Sequence, residues 1–146
     1  MVAALRLILG EKDPITTLSA HSSLLQPHLP PVDTVDAILK TQSGAIGVFS
    51  ASFGSKLQDF SMEFQCEHGV ANLGFDGITV NGTYHEIPFD GKGVAQEIAA
   101  FAEAILKGSS VDNRQKPEEG LADLEVVEII LKSGEEDGSS KKLKLQ

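Results

Sequence analysis

The chain has 146 residues and a mass of 15.5 kDa, the size of one ordinary domain, which leaves no room for both a dinucleotide-binding domain and a separate substrate domain. Hydrophobic residues at 41% and charged residues at 23% suit a soluble globular fold with a real core. The net charge of −9 disfavours nucleic-acid backbones and anionic membrane surfaces as partners.

Met1 to Leu9 holds strong helix formers and stops at Gly10, which predicts either the last turns of a longer helix or a plain short N-terminal one. Ile15 to Leu25 is rich in Thr, Ser and Leu between Pro14 and Pro27, which suits an edge strand. Gln26-Pro27-His28-Leu29-Pro30-Pro31 is a stiff loop, because prolines fix the backbone and remove donors. Strands follow over Asp36 to Thr41 and Ala45 to Phe53, joined at Gln42-Ser43-Gly44. In the second of these, Ala45, Gly47, Phe49, Ala51 and Phe53 face one way, and Ile46, Val48, Ser50 and Ser52 the other.

Phe60 to Cys66 has the cleanest period-two pattern: Phe60, Met62, Phe64 and Cys66 on one face, Ser61, Glu63 and Gln65 on the other. His68-Gly69, Asp76-Gly77 and Asn81-Gly82 then punctuate short strands at Val70 to Leu73, Ile78 to Val80 and Thr83 to Ile87. From Gly93 the period becomes 3.6. Val94, Ile98, Phe101, Ala102 and Ile105 form one helical stripe that ends at Gly108. Asn113 to Lys116 is loop. Pro117 opens a last helix, with Glu118 and Glu119 in its first turn and an apolar face of Leu121, Leu124, Val127 and Leu131, widened by Val126, Ile129 and Ile130. Residues 134–146 form a flexible tail or an added edge strand. The order predicts one α+β domain over residues 1–146: an antiparallel open sheet of about six strands, covered on one face by helices.

The chemistry is sparse. The chain lacks the histidine and cysteine spacings of zinc sites, the glycine patterns of nucleotide loops and the serine elbow of hydrolases, so neither a metal nor a cofactor is expected. Gly91-Lys92-Gly93 reads as a plain helix-entry loop. The lone cysteine, Cys66, continues an apolar row and is expected to be a buried structural residue. With no pair available for a disulfide, and with no apolar run near the ~20 residues that span a bilayer, a reducing cytoplasmic setting without a membrane is expected. His21 lies among small polar strand residues, His28 in the proline-rich loop, and Glu63 on the polar sheet face. With Tyr84 and His85 they are the candidate catalytic residues.

The segments VAALRLILG, Ile15 to Leu25, PPVDTVDAILKTQSGAIGVFSASFG, FSMEFQCEHGVANL, VAQEIAAFAEAI and PEEGLADLEVVEIILKSGEE, in this order and spacing, give the chain a resemblance to a known family. It resembles the C-terminal domain of the Gfo/Idh/MocA oxidoreductases, in the dihydrodiol-dehydrogenase-like or glucose–fructose-oxidoreductase-like branch. The resemblance implies a sheet that packs over a nicotinamide, helps form the substrate pocket and mediates dimerisation. It also implies an N-terminal Rossmann domain for NAD(P), a lysine in it, and an aspartate and histidine on the helix before VAALRLILG. Those residues match no position of this sequence.

Three readings follow. In the first, the chain is a truncated oxidoreductase-like protein that is not a dehydrogenase by itself and forms a homodimer through its sheet. In the second, it is a cofactor-independent isomerase, dehydratase or cyclase that reuses the pocket for a small molecule in secondary metabolism, with His21, His28, His85, Tyr84 and Glu63 as its acid–base groups. In the third, it completes the active site of a Rossmann-domain partner.

Overall fold

A computed structural model describes residues 1–56, 59–87 and 93–146. The loop residues Gly91 and Lys92 lie outside the described residues. Contacts divide the chain into two compact units, Met1–Lys56 with Asp112–Gln146, and Leu57–Val111. The fold is α+β throughout: helices and antiparallel sheets.

The first unit is built on a four-stranded antiparallel sheet. Its strands are β1 (Ile15–Ser23), β2 (Thr34–Thr41), β3 (Ile46–Ser52) and a two-residue strand at Lys141–Lys142, in the order β3, β2, β1 and that last strand. Helix α1 (Val2–Leu9) ends at Gly10, whose φ of 68° suits a residue without a Cβ. The helix Pro117–Glu135 lies across β1. Its first helical position is Pro117, where the missing N–H costs no bond. Ile15, Leu18 and Ala20 of β1, Ala37 and Leu39 of β2, and Val126 and Ile130 of this helix form the buried core. Pairing Leu18 with Leu39 and Ala20 with Ala37 puts these side chains on one face.

Two expectations change here. The strand Ile15–Ser23 lies inside the sheet and is not an edge. Lys142 and Lys141 pair with Thr17 and Leu18, and the N–H of Ala20 donates to the Ser133 hydroxyl at 2.8 Å. The buried stripe of the long helix is Ala122, Val126, Ile130 and Ser133, while Leu121, Leu124 and Val127 are exposed. Small residues at both ends of that stripe let the helix approach the sheet closely. A Cβ on Gly134 would fall 2.4 Å from the Ser22 hydroxyl oxygen.

Arg6 ties α1 to the long helix. Its guanidinium meets Asp123 at 2.7 Å and Glu119 at 3.0 Å, and it donates to the Gln146 side chain at 2.8 Å. Glu125 accepts the N–H groups of Lys144 and Leu145, both at 2.8 Å. The C-terminal residues are thus held along the helix.

The second unit carries four strands in sequence order: β4 (Met62–Cys66), β5 (Gly69–Leu73), β6 (Gly77–Val80) and β7 (Thr83–Glu86). The turn between β6 and β7 holds Asn81 at φ 49° and Gly82 at φ 81°, the left-handed pair that a two-residue hairpin needs. The helix α2 (Val94–Lys107) stops at left-handed Gly108. In chain order the long helix is α3 and the Lys141–Lys142 strand is β8. Cys66 is exposed, against the expectation of a buried thiol. It pairs with Gly69, which has no side chain, so the apolar row stops there without a cross-strand neighbour.

Candidate functional site

Each sheet has a face whose side chains stand in registered rows. On the first, the face away from the core carries Lys40 beside Ile46, Ile38 beside Val48, Asp36 beside Ser50, and Thr34 beside Ser52. From β1 it adds Ser19 opposite Ile38 and His21 opposite Asp36. The face is graded, apolar at one end and polar at the other. Ile38 is 58% exposed, Ile46 73% and Val48 76%. Apolar side chains this open, adjacent in register, form a contiguous patch of the kind that marks an interaction surface.

His21 sits at the polar end of this face. Its Nδ1 lies 3.9 Å from the Asp137 carboxylate, in the turn after α3. Across the sheet, His21, Asp36 and Ser50 form one row. Sequence reasoning singled out His21 but missed Asp36, because the ten-residue connection 24–33 hides the register of the first two strands.

That connection is ordered by Asp33, a buried carboxylate. It accepts N–H bonds from Leu25 at 2.9 Å and Gln26 at 2.8 Å, and the Thr34 hydroxyl at 3.0 Å. Burial pushes the Asp33 pKa up, but these donors outweigh it and hold the carboxyl below its ordinary value. Gly54 lets the carboxylate pack against backbone, since a Cβ there would fall 2.4 Å from it. His28 is exposed in the middle of this latched loop.

On the second sheet, Glu63, Asn72, Thr79 and Tyr84 pair in sequence across β4 to β7 and so share a face. Glu63 accepts a hydrogen bond from Gln65 at 2.8 Å. Three strand steps of ~4.8 Å separate Glu63 from Tyr84, so the two are about 14 Å apart. A shallow cleft of about 240 Å³ opens at the Tyr84 end, lined by Asn72, Phe75, Asp76, Thr79 and Tyr84 with Gly74 and Gly77. His85 follows Tyr84 in the strand and points to the opposite face, in the row of Met62, Leu73 and Ile78. Tyr84 and His85 therefore do not converge on one substrate atom. Asn72 and Thr79 escaped the sequence reading, although the Asp76-Gly77 and Asn81-Gly82 turns that align them were legible.

Among the described residues, no group of three or more His, Cys, Asp or Glu side chains is placed to hold a metal ion, and no helix is long and apolar enough to cross a membrane.

No family model matches the sequence. A curated relative, Dehydrogenase FPY6 of Fusarium mangiferae, is 34% identical over 156 residues, which is 99% of this chain and 44% of the relative. The chain thus spans under half the length of the relative it matches. An oxidoreductase structure from Thermotoga maritima superposes with a TM-score of 0.84 at 26% identity, over 97% of this chain and 41% of that one. The WlbA dehydrogenase of Bordetella pertussis, solved with NADH and UDP-GlcNAcA, gives 0.73 at 18% identity, over 99% of this chain and 46% of that one. The aldose-aldose oxidoreductase of Caulobacter crescentus gives 0.75 at 18%, over 97% and 44%. At that identity the last two speak for the fold alone.

Proposed function

This chain has the fold of the C-terminal domain of the Gfo/Idh/MocA-type oxidoreductases, and we propose that it serves as the substrate-side and self-association module of an oxidoreductase-type protein. By themselves, these 146 residues do not transfer hydride. That reaction needs a nicotinamide held against the substrate, and a dinucleotide-binding domain, in the same polypeptide or another, supplies it.

The observation that carries the proposal is the open face of the first sheet. Ile38, Ile46 and Val48 stand together there at more than half exposure. Along β2, Asp36, Ile38 and Lys40 share this face with Ile38 at the centre. A two-fold axis lying over Ile38, parallel to the sheet and perpendicular to β2, sets Ile38 and Val48 against their own copies and Ile46 over Ser50. It also sets Lys40 of one copy over Asp36 of the other. An isologous pair needs such a self-complementary patch. Two sheets packed in this way lie ~10 Å apart, the ordinary spacing.

Sedimentation velocity of the chain at micromolar concentration tests this. The wild type sediments as a dimer. Val48→Lys, with an unchanged far-ultraviolet spectrum, weakens the association about a hundredfold or more, equivalent to ~3 kcal/mol for a buried unpaired charge. A wild type that stays monomeric, or a Val48→Lys variant that pairs as well, contradicts the proposal. The same sample, given NADH and sugar substrates, shows no turnover.

A further inference from the structure

We propose that the cleft beside Tyr84 in the second sheet binds a small alkylammonium group.

The cleft is shaped by an aromatic ring laid over a glycine. Gly77 is buried, and a Cβ built on it would fall 2.4 Å from the His85 carbonyl oxygen of β7, 2.8 Å from the Tyr84 hydroxyl and 2.9 Å from its ring carbon Cε2. Only glycine lets the ring lie down at this place. The Tyr84 hydroxyl then donates to the Asp76 carbonyl at 3.0 Å and pins the far end of the ring to the turn between β5 and β6. The ring remains 58% exposed, so it is packed on one side and open on the other. Phe75, in the same turn, is 68% exposed and leans on Phe60 at a ring-centroid distance of 5.3 Å. The Thr79 hydroxyl and the Asn72 amide complete the lining.

The charges select the ligand. Asp76 lines the cleft, and Glu86 pairs with Gly77, directly beside it. Glu63 stands at the other end of the row. No strand residue on this face is basic, and His85 of β7 points to the other face. An open tyrosine face flanked by carboxylates attracts a cation through both the ring quadrupole and the charge. An anion meets repulsion from the same groups and from the net charge of −9. A neutral polyol finds only the hydroxyl and the amide. The alkyl part of an alkylammonium covers the ring, and its charge faces Asp76.

The sequence supplies a site-specific probe, because Tyr84 is its one tyrosine and it has no tryptophan. Tyrosine emission therefore reports this cleft alone. Tetramethylammonium chloride titrated into the full chain, against matched sodium chloride, produces a saturable change in Tyr84 emission. Its neutral isostere tert-butanol produces none. Asp76→Asn weakens the apparent affinity roughly tenfold, the loss expected of one charge contact. Gly77→Ala, whose Cβ meets the His85 carbonyl of β7 as well as the ring, abolishes the response. Amide spectra of both variants, superposable on wild type outside the cleft, show that each is folded. The proposal is overturned by a linear, non-saturating change, by an equal response to tert-butanol, by unchanged affinity in Asp76→Asn, or by a monosaccharide that binds more tightly than the ammonium ion.

Discussion

Ser133 shows how one hydroxyl joins a helix to a sheet. It is fully buried, accepts the Ala20 N–H and donates to the Ser139 carbonyl at 2.7 Å. Its neighbour β8 is only two residues long, so the sheet itself offers Ala20 no carbonyl on that edge. Ser133→Ala leaves a buried donor without a partner and costs ~1–3 kcal/mol, read as a lower urea midpoint. Asp33 plays the same part for the proline-rich loop, with a charge in place of a hydroxyl. Its folded pKa is depressed, so its contribution is present above the unfolded value of ~4 and is lost as pH falls through the lower folded value. Asp33→Asn therefore has a lower urea midpoint than wild type at pH 7, and the gap narrows as the pH falls below ~4. An equal gap at both ends of that range contradicts the role given to the charge.

At the scale of elements, turn chemistry made the hairpins legible. The left-handed Asn81-Gly82 pair and Gly44 join strands where their residue types require, whereas Gly77 opens β6 itself and leaves its turn to residues 74–76. Side-chain alternation assigned Ile46, Val48 and Ser50 to a common face, and the register agrees. What stayed hidden depends on partners distant in sequence. Ile15–Ser23 read as an edge because the residues that flank it return more than a hundred positions later, at Lys141–Lys142. Leu24 and Leu25 continue the strand pattern, yet the Asp33 carboxylate takes the Leu25 N–H and draws the chain out of the ladder. The long helix offers apolar residues around most of its circumference, so periodicity could not choose which stripe meets the sheet. The structure chooses Ala122, Val126 and Ile130. Ile130→Ala accordingly costs ~2–5 kcal/mol, whereas Leu124→Ala, at a position 65% exposed, stays within ~0.5 kcal/mol. Thermal melts of the two variants side by side check the assignment. Similar losses in both would contradict it.

At the scale of the molecule, the candidate site was only partly legible. The residue types were visible, but the faces they share depend on register. His21 stands opposite Asp36, and Tyr84 opposite Thr79, only once the strands are paired. The open outer face of β1 to β3 is the feature with the largest consequence. It combines half-exposed to well-exposed aliphatic residues with Asp36 and Lys40 set symmetrically about Ile38. A two-fold axis there sets a second copy of the chain opposite. Thiol cross-linking with a short bifunctional maleimide measures this most directly. In a Cys66→Ser background, Ile38→Cys places a thiol on the proposed axis, next to its own copy. Leu124→Cys places one on the exposed side of α3 as a control. A bismaleimide whose reach matches two facing sheets ~10 Å apart converts the first to a covalent dimer at micromolar concentration, and the control remains monomeric. Failure of the Ile38→Cys chain to cross-link, or equal cross-linking through Leu124→Cys, would contradict the account.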